Sequence, residues 1–135
     1  FHLCQGFAPA LSASGKGSIV NIGSIYAEFG PDWRLYEGTQ MGNPAAYAAS
    51  KGALLQLTRW LSTTLAPRVR ANAICPGGVY RNQAPSFVQR YEARTPLGRM
   101  ASEQDMVGAL VYLATDLSAY VTGQTVRVDG GWGVW

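Results

Sequence analysis

Two residues in the stretch "NPAAYAASKGALLQLTRW" (43–60) could do chemistry together: Tyr47 and Lys51, four positions apart among small residues. On a helix, positions i and i+4 share one face, a turn apart. An ammonium held beside a phenol favours the phenolate, so this tyrosine could give a proton to a carbonyl or take one from an alcohol near neutral pH. The lysine could also hydrogen-bond a sugar hydroxyl. The chain has only two lysines, and none of the other six tyrosines has one four positions on. Taken alone, the pair also fits an interface tyrosine next to a solvated lysine. Ser24 adds a hydroxyl directly after the run "SIVNIG" (18–23). That is the carboxyl end of a strand, where open α/β sheets bind ligands, and a hydroxyl there can donate to a substrate oxygen. By position alone, Ser24 also reads as a turn serine.

Positioning these groups takes strands and helices in alternation. Residues 1 to about 13 read as a helix that begins without a cap, followed by the turn "SGKG". The β-branched run 18–23 has the continuous apolar character of a strand buried on both faces. Ser24 to Gly42 is irregular, rich in Gly, Pro and aromatic residues. Asn43 and Pro44 read as a helix start, with Asn capping free amides and Pro at the first helical position. The helix is expected to run to about Ala66, with Leu54, Leu57, Leu61 and Leu65 on its buried face, and to stop at Pro67. "VRANAIC" (69–75) predicts a second strand, "PGG" (76–78) a sharp exit loop, and Ala84 to Arg94 a helix. Ser102 with Asp105 suggests a capping box before a helix that buries Met106, Leu110, Leu113 and Ala114. "TVRV" (125–128) predicts a third strand. Strands alternating with helices imply a parallel α/β sheet with right-handed crossovers.

Bulk properties exclude several function classes. The chain has 135 residues, 47% of them hydrophobic and 14% charged, with a net charge of +3. That length suits one small domain or part of a larger one. Its arginines are scattered, so the charge describes a mildly basic surface and no nucleic-acid partner is expected. His2 is the single histidine, and Cys4 and Cys75 match no metal or redox spacing, so no metal site is expected. No apolar run approaches the ~20 residues of a membrane span. Two free thiols and no visible leader point to the cytoplasm.

In order along the chain, "GSIVNIGS", "YAASK", "VRANAICPGGV" and "GQTVRVDGGW" resemble the C-terminal half of the short-chain dehydrogenase/reductase family. The match is co-linear over nearly all of the sequence. It implies an α/β fold, a partial Rossmann-like doubly wound parallel sheet comprising the last three strands with flanking helices. Residues 1–135 would then be the C-terminal catalytic and substrate half of a single domain whose N-terminal half is absent. By resemblance, Ser24 polarises the substrate carbonyl, Tyr47 is the acid/base, and Lys51 tunes the tyrosine and binds the nicotinamide ribose. Pro76, Gly77 and Val79 fall on the loop that lines the nicotinamide, and Asp129-Gly130-Gly131 resembles a structural C-terminal signature. The implied reaction interconverts a secondary alcohol and a ketone with NAD or NADP. Family members use helices like those from Pro44 and from Ser102 to form dimers and tetramers, which implies a homo-oligomer. A non-catalytic interaction module that pairs with another subunit is the competing reading.

The sequence departs from that pattern in places. The Gly-rich cofactor fingerprint is missing: "GKGSIV" (15–20) has Val20 where a third glycine belongs, and it precedes a strand. This chain alone is therefore expected to bind a nicotinamide cofactor poorly. Arg81 stands where the family commonly has a cofactor-contacting threonine. Either a neighbouring group replaces that contact, or Arg81 meets an anion in the pocket. The segment between Ser24 and Tyr47 is longer than usual in the family, and it brings in Trp33, Arg34, Tyr36 and Glu37. Loops beyond ~12 residues are usually functional or mobile. Trp33 and Tyr36 suit stacking and hydrogen bonding to a sugar-like substrate, while a surface cover without substrate contact is the other reading. This insertion, with "PGGV" and "RNQ", is similar to a subgroup associated with surface-sugar and flagellin modification.

Overall fold

The computed structural model describes residues 1–135. Three strands, β1 (Gly17–Ile22), β2 (Val69–Pro76) and β3 (Thr125–Val128), form one sheet in the order β1-β2-β3. Both pairings are parallel: Ile19 lies opposite Ala71, and Ala73 opposite Thr125. Between the strands run α1 (His2–Ser14), α2 (Ala45–Thr64), α3 (Pro85–Arg94) and α4 (Gln104–Ala114). α1 ends at Gly15, whose φ of 70° supplies the left-handed turn into β1.

β2 is the central strand and carries the core. Successive side chains point to opposite faces of a sheet. Ala71 joins Ile19, Val69 and Leu61 of α2, with Cys4 and Leu11 of α1 packed alongside. Ala73 and Cys75 receive Leu55 of α2. α1 and α2 therefore cover one face, and the small alanines let them lie close. The opposite parity, Ser18 and Arg70, faces α4: Ser18 Oγ donates to the Leu113 carbonyl at 2.8 Å. Helices on both faces of a parallel sheet match the expected Rossmann-like α/β arrangement.

Several expected details are corrected. The buried positions of α2 are Leu55, Thr58, Leu61 and Ser62, so the face is rotated from the expected leucine row. The rotation follows from packing, because α2 also presses on the short 3-10 turn after β1, and Leu55 rather than Leu54 reaches Ala73 and Cys75. On α4 only Leu113 is buried, and Leu110 is 44% exposed. The helix meets the sheet through its C-terminal carbonyls, with Arg70 occupying the space between. Asn43 does not cap α2: Pro44 is the N-cap residue, extended at φ −61° and ψ 137°, with no side-chain cap. The helix begins one residue later than expected, which separates the Asn43 amide from its free N–H groups. The capping box forms in one direction only, with the Asp105 carboxylate accepting from the Ser102 amide at 2.7 Å and from its hydroxyl at 2.8 Å.

The junction of α4 with the sheet depends on one guanidinium. Arg70 donates to the carbonyls of Leu113 and Thr115, both at 3.1 Å, and to the Ser118 hydroxyl at 2.9 Å. These carbonyls close the C-terminus of α4, where a helix leaves acceptors without internal partners and favours positive charge. A lysine would keep the charge but lose the forked geometry. Arg70→Lys should therefore cost about 1–2 kcal/mol, read as a lower urea midpoint. An unchanged midpoint would show that the fork adds nothing.

Candidate functional site

The ends of β1 and β2 make the floor of a cleft. Gly23 follows β1 and donates to the Ile74 carbonyl at 2.7 Å. A Cβ there would stand 2.7 Å from Cys75 Sγ, so only glycine lets the chain pass so close to β2. Ser24 follows in extended conformation and starts the 3-10 turn Ile25–Ala27. Its Oγ accepts from the Tyr26 amide at 3.2 Å, which leaves the hydroxyl proton free to donate elsewhere. At the end of β2, a Cβ on Gly77 would meet Asp129 Cα at 2.8 Å, and one on Gly78 would meet Tyr91 Cζ at 2.7 Å. The "PGG" loop is thus bare backbone, packed between α3 and the "DGG" turn.

Above this floor stands the first turn of α2. Tyr47 is 42% exposed and lines a cleft of about 350 Å³ together with Ser24, Gly77 and Gly78. Lys51 lies one helical turn on, with Nζ 5.7 Å from the centroid of the Tyr47 ring. Its ammonium donates to the Ile22 carbonyl at 2.8 Å, the last residue of β1. An ammonium has three donors, so two remain for other partners. The residues that line the cleft do not include Lys51.

The structure gathers some of the other expected residues and not the rest. Tyr36 and Gly77 line the cleft. Pro76 closes β2, and Val79 forms a parallel bridge with Ala101, so neither side chain reaches the lining. Trp33 is 59% exposed and packs against Tyr36 from outside, with ring centroids 5.7 Å apart. Arg81 pairs with exposed Glu103 at 2.8 Å, outside the cleft. Gln83, two residues on, does reach the cleft. Its Oε1 accepts from the Arg81 amide at 2.7 Å, its Nε2 donates to the Val79 carbonyl at 2.8 Å, and it lines the cleft. Sequence reasoning missed Tyr26, Asn43, Phe87 and Tyr91. The i, i+4 spacing of Phe87 and Tyr91 on a short amphipathic helix was the available signal for the last two. Burial pushes the Tyr91 phenol up to about 12 and the Tyr26 phenol far above its ordinary range, the latter aided by its bond to Tyr36.

Comparison with known proteins places the chain in context. Residues 1–133 match a family model described as enoyl-(acyl carrier protein) reductase. Among curated proteins, the chain is 35% identical over 131 residues to post-translational flagellin modification protein A of Campylobacter coli, covering 96% of this chain and 51% of that protein. It is 36% identical over 145 residues to a galactitol 2-dehydrogenase (L-tagatose-forming) of Cereibacter sphaeroides, covering 100% and 53%. Among solved structures, a short-chain dehydrogenase of Leptospira borgpetersenii with bound NAD+ superposes with a TM-score of 0.88 at 40% identity, covering 96% of this chain and 50% of that one. The chain spans about half the length of the relatives it matches.

The segment between Ser24 and Tyr47 is fastened to α3 by charge. The Asp32 carboxylate accepts from Arg34 Nε at 2.9 Å and Nη2 at 2.8 Å, and also pairs with Arg94. The Arg94 guanidinium lies 4.2 Å from the centroid of the Trp132 ring. Arg90 donates to the Glu37 carbonyl. Arg34 first, and Arg94 after it, hold the Asp32 carboxyl well below the usual carboxylate range. A depressed carboxylate contributes stability that is present above its unfolded value near ~3.9 and lost as pH falls towards its folded value. Asp32→Asn should lower the melting temperature at pH 7 and flatten its decline below about pH 4. Parallel acid curves for the two proteins would mean that Asp32 does not anchor the segment.

Proposed function

This chain belongs to the short-chain dehydrogenase/reductase family, and we propose that residues 1–135 are the catalytic half of a nicotinamide-dependent oxidoreductase that interconverts a secondary alcohol and a ketone on a carbohydrate derivative. The observation that carries the proposal is a shared location: Ser24 and Tyr47 line one cleft with Gly77, and Lys51 Nζ lies 5.7 Å from the centroid of the Tyr47 ring. Similarity to a galactitol 2-dehydrogenase supports the carbohydrate assignment.

In this reading Ser24 donates its free proton to the substrate oxygen and holds the reacting carbon in place. Tyr47 takes the alcohol proton during oxidation and returns it to the ketone oxygen during reduction. NAD or NADP, when bound, supplies the other half of the exchange by accepting or giving two electrons and a hydrogen at the substrate carbon. The residues present fit such a cofactor. Gly77 and Gly78 line the cleft with no side chain to obstruct a flat ring, and Lys51 keeps two donors for ribose hydroxyls after satisfying Ile22. Pro76 and Val79 would shape that loop through the backbone.

A second reading, a non-catalytic module that associates with another subunit, is favoured by the apolar residues left open on α1 and α4, among them Leu3, Phe7 and Leu110. The same faces suit a homo-oligomer, a dimer or tetramer, under the first reading. Both cysteines are free, and no helix is long and apolar enough to cross a membrane.

In the complete protein, Tyr47→Phe should lower kcat by about 10²–10⁴-fold with an unchanged melting temperature. Lys51→Ala should lower kcat and also raise the cofactor Kd measured by calorimetry. Retained turnover in Tyr47→Phe would remove the phenol from the mechanism. If the unmutated protein neither bound nor turned over with NAD or NADP, the interaction module would be the correct reading.

A further inference from the structure

A second concavity lies apart from the catalytic cleft. This groove of about 580 Å³ is lined by Asp32 and Arg34 from the segment after Ser24, by Arg90 and Arg94 of α3, and by Trp135. None of these five lines the cleft that holds Ser24 and Tyr47. Three guanidiniums meet here against one carboxylate. Asp32 pairs with both Arg34 and Arg94, and its side chain is 12% exposed, so its charge is already spent on them. Glu37 acts on Arg34 through space and forms no ion pair. Arg90 pairs with no carboxylate and donates through Nη1 alone, to the Leu35 and Glu37 carbonyls. Arg94 donates through Nη1 alone, to Asp32. Nη2 of both arginines therefore has no protein partner, and neither atom is buried. Arg94 Nε is buried and takes no part. Arg90 and Arg94 stand four residues apart on one helix face, a spacing at which like charges destabilise a helix. An anion between them would reverse that cost. Trp135 sets a flat apolar surface beside these cations and is 73% exposed. Guanidinium forks match phosphate oxygens, and an indole can cover the apolar C–H face of a sugar ring. The volume lies within the range of about 300–1,000 Å³ usual for small-molecule sites.

We propose that this groove binds a phosphorylated sugar, its phosphate on Arg90, Arg94 and Arg34 and its ring against Trp135. The site is separate from the catalytic cleft and does not depend on the oxidoreductase reading. A bare anion would use the arginines alone, and a neutral sugar would leave Arg90 without a counter-charge.

The test is calorimetry on the complete protein at low ionic strength, without nicotinamide cofactor and without turnover. Glucose 6-phosphate should bind more tightly than inorganic phosphate, and added salt should weaken it. Arg90→Gln removes a charged donor and should weaken glucose 6-phosphate by about tenfold, with Arg90→Lys recovering part of the loss. Trp135→Ala changes an exposed side chain and leaves the fold intact. It should weaken glucose 6-phosphate while inorganic phosphate binds as before. Tyr47→Phe should bind glucose 6-phosphate as the parent does. Equal binding by Arg90→Gln and the parent overturns the proposal. So does an undiminished affinity in Trp135→Ala, which would reduce the groove to a site for bare anions. A loss of binding in Tyr47→Phe would put the sugar in the catalytic cleft and overturn it as well. Because no reaction is measured, a failure of the oxidoreductase assignment would leave each of these results readable.

Discussion

The hydrogen bond from the Lys51 ammonium to the Ile22 carbonyl ties two elements that the site cannot hold apart. Ile22 ends β1, and two residues later the chain presents Ser24. Lys51 lies on α2, and one turn before it the helix presents Tyr47. Lys51 therefore ties the strand end to the helix that faces it, and the Asn21 amide, donating to the Thr58 hydroxyl at 2.8 Å, ties the same two elements further along. Charged donors make stronger hydrogen bonds than neutral ones, and this donor also sets the ammonium beside the phenol ring. One of its three donors is committed to the scaffold, and the other two remain available.

This tie works because the surrounding backbone can approach closely. Glycine at position 23 lets β1 leave the sheet in contact with Cys75, and glycines at 77 and 78 let the exit of β2 lie against Tyr91 and Asp129. Each position would place a Cβ inside another atom's radius. Tyr91 supports the loop from below, its phenol accepting from the Gly78 amide. The cleft is thus two bare strand exits under one helix turn, walled by aromatic side chains from the segment after Ser24 and from α3.

What sequence reasoning reached, and what it missed, divides along the range of the determining contacts. β3 lies at the expected residues, β1 shifts by one residue at both ends and β2 extends by one at its C-terminal end, because a buried parallel strand declares itself through its own apolar run. Ser24, Tyr47 and Gly77 each sit in a short local pattern, and all three line the cleft. The orientation of α2 was not readable, since it depends on where Ala73 and Cys75 leave room for Leu55. Arg81 and Trp33 were chosen for their chemistry, but side-chain chemistry does not disclose partners. Glu103 captures Arg81, and Trp33 packs on the outer side of Tyr36. Asn43 illustrates the reverse case: its local pattern signals a cap, and only the path of the chain through Pro44 leaves its amide unused.

The Arg94–Trp132 contact gives the molecule an internal optical reporter. Trp132 is buried in the aromatic core, while Trp33, Trp60 and Trp135 stand open to water. A soluble collisional quencher therefore reaches three indoles and spares the fourth. The emission that survives quenching comes from the ring beneath the Arg94 guanidinium, and it responds to whatever disturbs the seam between α3 and the segment carrying Asp32.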